Sequence, residues 1–112
     1  MNIAVLHYHT TLTPPECIAA ITAQPWEYGD DLIPMWYDCV PVAQQVLNVT
    51  FRGGKFRKAM NTRYRMTFAD DIAGTAVVLE FLSELLGAPP MTPLADIDRF
   101  MEQKLRAVRV TL

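Results

Sequence analysis

Val49-Thr50-Phe51-Arg52-Gly53-Gly54-Lys55-Phe56-Arg57-Lys58 is the stretch whose pairing sets the fold class. Two glycines separate two runs of alternating apolar and polar residues, and glycine supplies the positive φ that a two-residue hairpin turn requires. In that register Arg52 faces Lys55, Phe51 faces Phe56 and Thr50 faces Arg57. The phenylalanines then share one side, and Arg52, Lys55 and Arg57 the other. Arg63 to Phe68 alternates in the same way, with Tyr64, Met66 and Phe68 opposite Arg63, Arg65 and Thr67. Residues 49–68 therefore predict a small antiparallel meander with one aromatic and one basic face.

Upstream, Asn2 to His9 carries Ile3, Val5, Leu6 and Tyr8 and reads as a strand. Thr13-Pro14-Pro15-Glu16 is a helix start: Thr13 can cap the Glu16 N–H, Glu16 can reach back, and proline suits the first turn. Leu12 and Cys17 stand where a hydrophobic staple would, and Pro25 limits the helix to about 14–23. Asp30 or Asp31 then caps a second helix. Leu32, Met35, Trp36, Cys39, Ala43, Val46 and Leu47 recur at helical spacing through Pro41, which predicts a helix kinked near Tyr37.

Downstream, Asp70 or Asp71 caps an apolar helix from Ile72 to Leu86, stopped by Gly87 and Pro89-Pro90. Thr92-Pro93 opens the last helix, whose seam is Leu94, Ile97, Met101, Leu105 and Val108. The expected fold is α+β in one compact domain, 1–112. A small, mainly antiparallel sheet, the N-terminal strand plus the 49–68 meander, packs against about four helices.

The chain is 51% apolar and 20% charged, unlike a disordered segment. No basic leader precedes an apolar stretch, and the run Ile72–Leu86 is too short and, with Glu80 and Glu84, too charged to span a bilayer. Cys17 and Cys39 fit reduced thiols in a cytoplasmic protein. The net charge of −2 hides a segregated distribution. Residues 1–51 hold Glu16, Glu27, Asp30, Asp31 and Asp38 with no Lys or Arg. Residues 52–65 hold Arg52, Lys55, Arg57, Lys58, Arg63 and Arg65 with no acid.

That basic block is the first candidate binding surface, and an acidic protein surface is the partner it suits best. Nucleic acid comes second. Phosphates would satisfy the block, and Phe51, Phe56 and Tyr64 are of the type that stacks bases, but they lie on the opposite face and the pI is about 5.6. Trp26, Tyr28, Trp36 and Tyr37 lie among the N-terminal acids and form a second candidate, an acidic and aromatic docking surface. His7 and His9 share one strand face and are weak metal candidates, because Cys17, Cys39, Asp30 or Asp38 would have to complete the site. Cys17 or Cys39 with either histidine would make a thiol–imidazole pair, though both cysteines sit at apolar positions. No cofactor motif is present, since Gly53-Gly54 belongs to a hairpin and not to a phosphate loop.

The expected function is a non-enzymatic protein–protein interaction module docking through the basic hairpin and the acidic and aromatic surface. Its size suits a small adaptor, inhibitor or accessory subunit of the kind that bacteria and phages encode, with self-association as one mode. The alternatives, in order, are a nucleic-acid-binding module using 52–65 and a small metal- or thiol-dependent enzyme.

Overall fold

Residues 5–23, 35–53, 62–82 and 94–111 are described by the computed structural model. The first strand, β1 (Val5–Thr10), turns its apolar positions Leu6 and Tyr8 inward, as its alternation predicts. The helix α1 (Pro14–Thr22) begins with the predicted box. The Glu16 N–H donates to Thr13 Oγ1 at 3.4 Å, and the Thr13 N–H donates to Glu16 Oε1 at 3.0 Å. The Thr13 N–H, together with the Thr13 hydroxyl that donates to the same oxygen at 2.9 Å, holds the Glu16 carboxyl below the usual carboxylate range. Thr13→Ala is expected to cost about 1 kcal/mol, read as a lower urea midpoint at unchanged slope.

Four further strands form a meander: β2 (Met35–Ala43), β3 (Val46–Gly53), β4 (Thr62–Asp71) and β5 (Gly74–Leu82). The helix α2 (Leu94–Leu105) follows, with the short β6 (Val108–Arg109) behind it. All pairings are antiparallel, and the strand order is β2-β3-β4-β5-β1-β6. The described residues thus contain two helices and a six-stranded sheet. This overturns the expectation of about four helices on a small sheet.

Two expected helices are strands. In 35–47, Tyr37 points to the core while Trp36, Asp38 and Val40 are exposed, an alternation with period two. Pro41 kinks no helix. It lies on the outermost strand at an irregularity between Pro41 and Ala43, where a missing N–H disturbs least. Gln44-Gln45 makes the turn to β3, with Gln45 left-handed at φ 60°. In 72–82, Ile72-Ala73 is a turn, and Thr75, Val77 and Leu79 alternate inward. Residues 83–86 of that expected helix lie outside the described residues.

The expected hairpin register is corrected too. Phe51 pairs with Tyr37 on one side and Thr62 on the other, so it does not face Phe56. Residues 54–61 lie outside the described residues. The alternation of 63–68 stands: Tyr64, Met66 and Phe68 are buried, and Arg63 and Arg65 are exposed.

Both helices pack on one face of the sheet. Cys17 and Ile21 of α1 and Ile97, Phe100, Met101 and Leu105 of α2 join Tyr8, Phe51, Tyr64 and Leu79 in one core. Phe100 is its hub, set edge-on to Tyr37 and to Phe51 with ring centroids 4.9 Å apart in each case. Buried hydroxyls of the sheet reach carbonyls beside the two helices. Thr10 donates to the Leu105 carbonyl, and Thr75 donates to the Leu12 carbonyl at 2.6 Å.

The last turn of α1 contains no basic residue of its own. Its carbonyls are met from other elements: Tyr37 donates to Ile21, and the Lys104 ammonium of α2 donates to Ala23 at 2.8 Å. A cation at that end also opposes the helix dipole.

Candidate functional site

With both helices on one side, the other face of the sheet has no covering layer among the described residues. Strand alternation decides what it displays. One row crosses five strands in register: Val40, Asn48, Arg65, Glu80 and Val5. The adjacent row runs Asp38, Thr50, Arg63 and Leu82. At the end of β2, Trp36 lies opposite Arg52, whose guanidinium pairs with Asp38.

Apolar side chains stand at both margins of this face. Val40 on β2 is 61% exposed and Val108 on β6 is 71% exposed. Val42 and Val110 are also exposed beside them. The middle is charged. Arg65 and Glu80 are cross-strand partners, both exposed, with no ion pair joining them. Between Val40 and Arg65, Asn48 keeps its Oδ1 out of solvent with no hydrogen-bond partner among the described residues.

The residues expected at the binding surface are distributed unevenly. Arg52, Arg63 and Arg65 belong to this open face. Lys55, Arg57, Lys58, Trp26 and Tyr28 lie outside the described residues. Trp36 is on the open face at 38% exposure, while Tyr37 turns to the core and is buried. Adjacent strand residues point to opposite sides, so the two aromatics do not share a surface. Sequence reasoning passes over Asp38, Val40, Glu80 and Val108 as members of this surface. The period-two pattern of exposed Trp36, Asp38 and Val40 against Tyr37 and Cys39 is visible only in the folded strand, because both rows are mainly apolar in the sequence.

His7 and His9 also lie on the open side of β1, with His9 Nε2 3.1 Å from the Ile72 carbonyl. Cys17 is buried in the helical layer, where desolvation pushes its thiol up. The sheet therefore separates Cys17 from both imidazoles. Cys39 packs against the core with its thiol 3.8 Å from the Ile21 carbonyl. No disulfide joins the two cysteines. Among the described residues, no group of three or more His, Cys, Asp or Glu is placed to hold a metal ion.

A shallow groove of about 650 Å³ follows the junction of α2 and β6. Three of its polar groups, Tyr8, Asp98 and Arg109, are engaged with one another. The Tyr8 hydroxyl donates to Asp98 Oδ1 at 2.6 Å, and Arg109 Nη2 lies 3.7 Å from Asp98 Oδ2. This cluster ties β1, α2 and β6 together. No helix among the described residues is long and apolar enough to cross a membrane. Comparison with protein families, curated protein sequences and solved structures finds no match.

Proposed function

We propose that the chain is a non-enzymatic protein-interaction module that docks through the open face of its sheet. The observation that carries this reading is the composition of that face. Exposed Arg63 and Arg65 stand at its centre between the apolar margins at Val40 and Val108. Apolar anchors combined with arginine suit a protein interface. The cations of β4 favour an acidic partner surface, and Lys55, Arg57 and Lys58 follow in the sequence between β3 and β4.

The net charge of −2 weighs against nucleic acid, whose binding rests on neutralised phosphates. Two cysteines with no disulfide between them fit the reducing compartment of a cytoplasmic protein. An adaptor, inhibitor or accessory subunit of bacterial or phage type is the kind of module meant.

The test is affinity capture from native lysate with the wild type and with Arg63→Glu/Arg65→Glu as baits, alongside gel retardation of oligonucleotides at low salt. An acidic protein retained by the wild type and lost at least about tenfold by the variant is the expected result. Charge-sensitive retardation of nucleic acid, with equal protein capture by both baits, would overturn the reading.

A further inference from the structure

The open face is self-complementary in a way that its strand order makes visible. The order β2-β3-β4-β5-β1-β6 has its midline between β4 and β5. Consider a two-fold axis parallel to the strands, lying over that midline between two facing sheets. It lays β2 of one copy on β6 of the other, β3 on β1, and β4 on β5. Arg65 and Glu80 occupy one register position on either side of the midline. The same axis therefore sets Arg65 against the partner's Glu80, and Glu80 against the partner's Arg65. At the margins it turns β2, with Val40 and Val42 exposed, towards the partner's β6 edge, where Val110 lies two residues and Val108 four residues along the strands from the Val40 row. Aligned sheets rotate by about 30° on packing, which moves the margins along the strands and leaves the central row in place.

We infer that this chain forms a two-fold dimer by packing its open sheet face against a second copy, with Arg65 and Glu80 as reciprocal ion pairs between valine margins. The inference rests on the docking reading above and names the partner. Charge complementarity supports a second copy, whose Glu80 supplies the acid that the β4 cations call for, because the central row carries equal and opposite charges that do not pair with each other within the chain. Size agrees. Five long strands about 4.8 Å apart offer roughly 600 Å² of flat sheet before side-chain relief is counted. A stable interface takes about 800 Å² of accessible surface per partner.

The experiment is sedimentation velocity across micromolar to millimolar concentrations for the wild type, Arg65→Glu, Glu80→Arg and an equimolar mixture of the two variants. Both sites are exposed, and circular dichroism confirms that each variant is folded. The wild type is expected to dimerise, and each variant to dimerise at least about tenfold more weakly, since each places like charges opposite one another twice. The mixture restores the dimer, because an Arg65→Glu chain facing a Glu80→Arg chain makes both ion pairs with their polarity exchanged at one of them. A wild type that stays monomeric, or dimers indifferent to both reversals, would overturn self-association. The docking reading fails separately, when lysate capture is unchanged by Arg63→Glu/Arg65→Glu.

Discussion

Gly74→Ala is expected to leave the chain unable to reach its native sheet. Gly74 starts β5 directly after the Ile72-Ala73 turn and has φ +152°, a backbone conformation that side-chain-bearing residues rarely adopt. Its backbone passes under the exit of β1. A Cβ there would lie 2.8 Å from Thr11 Cα and inside the radius of the Thr10 carbonyl oxygen, where ordinary contacts begin at 3.4 Å. Every blocking atom is backbone, so no rotamer change relieves the clash. The neighbouring Thr10–Thr75 pairing and the Thr10 bond to Leu105 would have to open as β1 retreats. Losses of this kind exceed about 4 kcal/mol, against a total stability on the order of 5–15 kcal/mol. Ala73→Gly is the companion variant. Ala73 has φ 57°, and glycine takes that conformation without a Cβ penalty, so this variant should fold with equal or greater stability. Urea unfolding of both, followed by circular dichroism, checks the pair. A cooperative Gly74→Ala transition within about 1 kcal/mol of the wild type would refute the close approach.

Alkali should unfold the protein through its tyrosines. Burial raises Tyr37 and Tyr64 from 10.0 to about 12, and it raises Tyr8 further still, with the hydrogen bond to Asp98 adding to the effect. A raised pKa means that the native state holds its proton more tightly than the unfolded chain. The resulting stability is complete below pH 10 and is lost as pH climbs through 12, because only the unfolded chain ionises freely in that window. Three such groups together remove about 4 kcal/mol by about pH 11. Tyrosinate absorbance and far-ultraviolet circular dichroism, recorded in one alkaline titration, are expected to change together. Tyr64→Phe, which keeps the ring, should make the fall with pH shallower. Tyrosines ionising near their ordinary value of 10.0 in a chain that keeps its secondary structure would contradict the burial.

Local chemistry was legible wherever one signal pointed one way. Thr13 and Glu16 mark the α1 start through side-chain reach alone. Arg63 to Phe68 alternates cleanly because one face is buried and the other open. The ambiguous segments are those where two periodicities coincide. In 35–47, Met35, Trp36, Cys39, Ala43, Val46 and Leu47 satisfy helical steps, yet Trp36, Tyr37, Val40 and Val42 suit a strand equally well. Nothing local decides between them, because Gln44-Gln45 and Ile72-Ala73 turn the chain without glycine, asparagine or aspartate at the turn itself. Tertiary pairing holds Gln45 and Ala73 left-handed. Pro41 reads as a helix kink in the sequence because edge position is a property of the whole sheet. The candidate surface follows suit. Its arginines are visible in the charge run, but its valine margins emerge only once β2 and β6 are known to be the outer strands.

The place of β1 in the sheet has a consequence for how the molecule is assembled in time. This strand leaves the ribosome before its two neighbours, β5 and β6, both from the later part of the chain. β2 to β5 are each paired with their nearest neighbour in sequence and can zip as successive hairpins. β1 must wait, its apolar residues Leu6 and Tyr8 unsheltered, until β5 has been made. Pairing across so long a loop slows folding and lengthens exposure to aggregation. The capped helix α1 and its neighbouring strand thus emerge early and dock late, and a nascent chain halted before β5 holds a meander with no place yet for its own beginning.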